Sequence, residues 1–254
     1  MMTILKVQQL QKTYVVGNTE HQVLKNIQLT IQKGEFVSIM GPSGCGKSTL
    51  LYTVSGMDQA TSGQITFLQH NISTMAEPQL AKLRLEAMGF IFQQHHLLKN
   101  LNLFDNIVLS AYLAKKHSRQ KINTQATQLM AKLGIAQLAK NDITQASGGQ
   151  LQRVAICRAL INNPAILFGD EPTGALNTAA TSEVMDVLTT INQEGTTILL
   201  ATHDAKVAAK TERVLFMLDG EIIAETTLGK YDPINSDLFK REQQLNRWLV
   251  QLGF

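Results

Sequence analysis

The chain has 254 residues, 44% of them hydrophobic and 17% charged, with a formal net charge of +3. That is the make-up of an ordinary globular protein with room for one large domain or two small ones around a substantial core. The weak charge calls for neither nucleic acid nor an anionic membrane, no apolar run is long enough to span a bilayer, and two distant cysteines form no disulfide framework, which points to a reducing cytoplasm.

The opening Met1-Met2-Thr3-Ile4-Leu5-Lys6-Val7 lacks a basic region followed by an apolar stretch, so it reads as a first strand rather than a secretion signal. Residues 3–10, 23–31 and 64–68 carry alternating or β-branched apolar side chains, with turn residues at Gly17-Asn18, Lys33-Gly34 and Ser62-Gly63 between them. Phe36 to Met40 predicts a short buried strand and Ser48 to Val54 a helix. The nine residues from Gly41 to Thr49 (Gly41, Pro42, Ser43, Gly44, Cys45, Gly46, Lys47, Ser48, Thr49) fit the pattern G-x-x-x-x-G-K-[ST]. Glycines let successive N–H groups curl toward one anion, and the following helix dipole favours negative charge there. Lys47 reaches the outer phosphates of a nucleotide, and Ser48 places its hydroxyl on Mg²⁺. Cys45 lies in this loop at a helix start, where a lowered thiol pKa and protection from thiol reagents by bound ATP are expected.

From Glu77 to Leu133 the spacing turns helical. Ser147-Gly148-Gly149-Gln150 then opens another helical run, with Ser147 suited to cap it, giving the chain a second anion-seeking helix start. Short buried strands return at 165–168, 197–201 and 214–218, separated by helical pattern that includes 181–192. Strands alternating with helices imply a mostly parallel sheet covered on both faces. The strand before Asp170-Glu171 ends in two carboxylates at the edge where ligands collect in such sheets. Asp170 is suited to holding Mg²⁺ through water, and Glu171 to polarising a water for attack on a terminal phosphate. The tail, 228–254, ends in a helical pattern (Leu245, Trp248, Leu249, Leu252) with no chemical role legible in it.

With Gly41–Thr49, Ser147–Gln150 and Asp170-Glu171 in this order, the chain closely resembles the ATP-binding subunits of ABC transporters from about Ile4 to Ile222. The resemblance implies an α/β P-loop ATPase fold: a mostly parallel core sheet, an amino-terminal antiparallel β-subdomain and an inserted α-helical subdomain. Residues 1–227 would form one domain (core 1–88 and 160–227, helical subdomain about 89–159), with 228–254 as an extension. Two copies would pack head to tail, each signature Ser147, Gly148, Gly149 and Gln150 closing over ATP on the partner's phosphate loop. Tyr14 matches the aromatic that stacks on adenine, Gln93 the glutamine that touches Mg²⁺, and His203 the switch histidine at the terminal phosphate. Two positions depart from the pattern: Ala146 stands for the usual Leu, and Asn177 for the usual Asp, which is expected to weaken coupling between the two sites at most. His95-His96 is read as part of a surface meeting the membrane partner rather than as metal ligands.

The implied function is ATP hydrolysis driving a separate integral membrane permease from the cytoplasmic face, with no nucleic acid partner. Val23 to Ile27, Gly89 to Gln93 and Asp170 to Leu176 look like the branch of macrolide exporters, lipoprotein-release systems and bacitracin-type resistance transporters. Export of, or resistance to, antimicrobial peptides or drugs is the favoured reading. The alternatives are a regulatory or mechanical ATPase of the cell-division type, which moves no solute, and a soluble ABC ATPase of translation or DNA repair.

Overall fold

The computed structural model describes residues 2–254. Two sheets organise it. The first is antiparallel and four-stranded, in the order β2-β1-β4-β5, from β1 (Thr3–Val16), β2 (Thr19–Gln32), β4 (Ser62–Phe67) and β5 (His70–Asn71). The second is six-stranded, in the order β10-β9-β3-β8-β7-β6. Its parallel members are β3 (Phe36–Met40), β6 (Met88–Phe92), β7 (Ile166–Asp170), β8 (Thr197–Ala201) and β9 (Arg213–Leu218). Only β10 (Glu221–Thr227) runs antiparallel, against β9.

Every residue of β3 and β8 is buried, which is why both strands read as unbroken apolar runs rather than alternating ones. One face of the parallel sheet packs with the antiparallel sheet and α1 (Lys47–Val54) around Leu5, Ile39, Leu50, Phe67 and Leu199. The other face meets α5 (Gly148–Leu160) and α6 (Thr178–Gln193) through Val154, Ile156, Val184 and Leu188. The same cluster extends into α3 (Leu103–Ala114) and α4 (Arg119–Lys132), which lie between β6 and β7 in the chain. Ahead of β6 runs α2 (Glu77–Ala87).

One element departs from the sequence reading. Met88–Phe92 lies inside a stretch whose spacing suggests helix, yet it forms β6, paired with β7 from Met88–Ile166 to Phe92–Asp170. A five-residue apolar run carries too little period to separate buried strand from buried helix. The pairing carries the chain to Gln93 at the same sheet edge as Asp170. Beyond the short α7 (Ala205–Ala208), the tail folds back as α8 (Leu238–Gln251), with Leu245 and Leu249 buried against Met40, Val214 and Phe216.

Candidate active site

The phosphate loop leaves β3 at Gly41 and enters α1 at Lys47. Its glycines are required by geometry. Gly41 has φ +150°, and a Cβ there would lie 2.0 Å from the Met217 carbonyl oxygen; Gly46 caps α1 at φ +104°. Lys47 is 7% exposed, and its ammonium donates to the carbonyls of Gly41 (2.8 Å) and Pro42 (2.9 Å), so the charge is held inside the loop. The expected lowering of the Cys45 pKa is not found. Its thiol is buried, desolvation pushes the pKa up, and the nearby Lys47 ammonium offsets this only in part.

β7 delivers the carboxylates beside this loop. Ser48 donates to Asp170 Oδ1 at 2.7 Å, and Tyr52, one turn further along α1, donates to Asp170 Oδ2 at 2.7 Å. Burial first, and then the Asp170 carboxylate, raises the Tyr52 pKa strongly, so the hydroxyl stays a donor. Glu171 turns out of the strand at φ +45°, a left-handed conformation rare for a residue with a Cβ, while its N–H donates to the Ala201 carbonyl at 3.0 Å. That turn brings Glu171 Oε1 to 2.9 Å from Nδ1 of His203, which follows β8. Gln93 reaches the same spot: a Cβ on Gly174 would lie 3.0 Å from Gln93 Nε2 and 3.1 Å from Glu171 Oε2. The ends of β3, β6, β7 and β8 therefore bring Lys47, Ser48, Gln93, Asp170, Glu171 and His203 together at one edge of the sheet.

Tyr14 stands at the periphery, its hydroxyl donating to Asp58 and its ring 4.6 Å from the Lys12 ammonium. Ser147–Gln150 is a separate station. Ser147 Oγ accepts from the Gln150 N–H, and Gln150 Oε1 accepts from the Ser147 N–H at 2.8 Å, a reciprocal capping box opening α5. Neither side chain bonds the phosphate loop of its own chain. Asn177 caps α6 by accepting from the Ala180 N–H at 2.9 Å, a task Asn performs as well as Asp. His95 and His96 diverge: His95 Nε2 lies 3.1 Å from the Gly148 carbonyl oxygen, and the His96 ring meets Phe92 edge-on at 5.2 Å. Sequence reasoning missed Tyr52, because an aromatic on a helix carries no signal of a carboxylate 118 residues away.

Residues 24–174 match the family model described as ABC transporter. The chain belongs to the ABC transporter family. It is an ABC ATPase, 41% identical over 223 residues to the macrolide export ATP-binding/permease protein MacB of Pasteurella multocida, covering 88% of this chain and 34% of that protein. It thus spans about a third of the length of the macrolide export proteins it matches. It is 39% identical to the ABC transporter ATP-binding protein YvrO of Bacillus subtilis, covering 87% of this chain and 96% of YvrO. Among solved structures, the dimeric post-hydrolysis ATP-binding cassette MJ0796, bound to ADP and Pi, superposes with a TM-score of 0.83 at 36% identity, covering 90% of this chain and all of that one. Among the described residues no helix is long and apolar enough to cross a membrane.

Proposed function

We propose that this ABC ATPase powers a separate membrane permease from the membrane surface facing the cytoplasm, in export of, or resistance to, antimicrobial peptides or drugs. The observation that carries the ATPase chemistry is the convergence of Lys47, Ser48, Asp170, Glu171, Gln93 and His203 at one sheet edge. The likeness to macrolide export proteins supports the transport branch.

Phosphoryl transfer to water needs little covalent chemistry from the protein, so the site acts by placement and charge. The loop N–H groups and the amino end of α1 would cradle the phosphates, with the Lys47 ammonium turned from its own carbonyls to the outer ones. Ser48, Asp170 and Gln93 offer oxygen donors only, the chemistry a hard Mg²⁺ prefers when shared with substrate phosphates. When bound there, such an ion would supply positive charge to offset that of the phosphates. Glu171 accepts the proton of the attacking water, and His203, hydrogen-bonded to it, couples that base to the terminal phosphate. Ser147–Gln150, remote from its own loop, would close over the ATP of a second copy; the dimeric MJ0796 cassette supports that arrangement. The groove between core and helical subdomain, with Met57, Phe90, Phe92, His96 and Arg158 on its walls, is where the permease would dock.

Glu171→Gln tests this reading. Turnover is expected to fall by about a hundredfold or more while ATP binding persists and an ATP-dependent dimer accumulates in gel filtration. Wild-type turnover in that variant would remove Glu171 from its role. Failure to co-purify with any membrane protein would remove the permease.

A further inference from the structure

The helix that follows His203 is too short to hold itself in place. α7 has four residues, and a single turn fixes more backbone than its hydrogen bonds repay. Its placement therefore depends on contacts from outside the turn: Val207 and Ala208 are buried, the Asp204 carboxylate accepts from the Lys206 N–H, and a donor from elsewhere takes the carbonyls just past its carboxyl end. Arg241 of α8 is that donor: Nε donates to the Ala209 carbonyl at 2.7 Å and Nη2 to the Thr211 carbonyl at 2.8 Å. The same guanidinium holds the start of the tail through the carbonyls of Leu228 (2.7 Å) and Gly229 (2.9 Å). Arg241 is only 9% exposed, so these bonds are shielded from water. Between its two α7-side acceptors, Lys210 is anchored to Asp186 of α6 at 2.6 Å. The amino-terminal part of α8 also reaches the site: Leu238 and Glu242 line one cavity with Glu171, His203 and Asp204.

We propose that Arg241 is a positioning residue for His203: through this guanidinium the carboxy-terminal helix sets α7, and α7 sets the histidine. Residues 228–254 are then a working part of the hydrolytic site, although they lie beyond the matched family region. The inference rests on the role given to His203 above.

The full-length chain is compared with Arg241→Met, Arg241→Lys and Leu245→Ala. A methionine gives up all four bonds, and a lysine cannot span four carbonyls with one fork. Leu245→Ala loosens α8 by a cavity but leaves the fork intact. The expected result is a loss of about tenfold in kcat for Arg241→Met and a smaller loss for Arg241→Lys, with KM for ATP within about twofold. The imidazole NMR signal of His203, assigned by its disappearance in His203→Ala, should shift in both arginine variants. Leu245→Ala should lose thermal stability while keeping kcat within about twofold. If Arg241→Met does not fold, Arg241→Lys against Leu245→Ala decides. An unmoved His203 signal with kcat retained would overturn the proposal, as would an equal loss of kcat in Leu245→Ala. Retained turnover in His203→Ala would instead remove the role of His203, and this inference with it.

Discussion

Tyr52→Phe removes one oxygen from the site and leaves the ring, which packs 6.4 Å from Phe92. The lost bond is short (2.7 Å) and runs to a carboxylate, so it belongs to the stronger class, worth about 1.5–3 kcal/mol. The site is partly open to solvent, which favours the lower figure, about 1.5 kcal/mol. For a chain of this size that is a fall of about 3–6 °C in Tm. Asp170 then keeps Ser48 as its side-chain donor and is less firmly oriented, so kcat/KM for Mg-ATP should fall about tenfold. Because the folded-state pKa of Tyr52 is raised, its contribution is fully present below the ordinary tyrosine value and is lost only as pH climbs through the folded one. The Tm difference between wild type and variant should therefore stay constant from about pH 6 to pH 9. Differential scanning fluorimetry across that range and a Mg²⁺ titration of ATPase rate supply both readouts. A variant with unchanged Tm and unchanged turnover would refute the claim that this hydroxyl holds Asp170.

Three further outcomes follow from the same geometry. Gly174→Ala should press on the Gln93 amide and the Glu171 carboxylate, lowering turnover about tenfold while the melting temperature stays nearly constant, since the crowded atoms are side-chain ends. Gly41→Ala forces a Cβ onto the Met217 carbonyl at a φ that L-residues avoid, and should cost about 2–3 kcal/mol in denaturant midpoint with an unchanged m-value. Cys45, buried with a raised pKa, should react slowly with iodoacetamide at neutral pH and rapidly once the chain is unfolded, read by mass spectrometry.

Much of this site is legible in the sequence because its chemistry is local. A glycine loop between strand and helix, a serine at a helix start and a strand ending in two carboxylates each depend on neighbours a few residues away. The family resemblance placed Gln93 and His203 in advance, and the fold brings both to Glu171. What was not legible depends on contacts far apart in the chain. β6 is a strand because β7 pairs with it, not because five apolar residues demand it. Cys45 has a raised rather than a lowered pKa because the fold buries it, and desolvation outweighs the Lys47 ammonium. Tyr52 meets Asp170 across 118 residues, and Arg241 meets Thr211 across 30. Sequence alone determined which polar and charged groups are available to the candidate site; only tertiary packing decided which neighbours hold them, because desolvation and side-chain partnership are set by what lies adjacent in space.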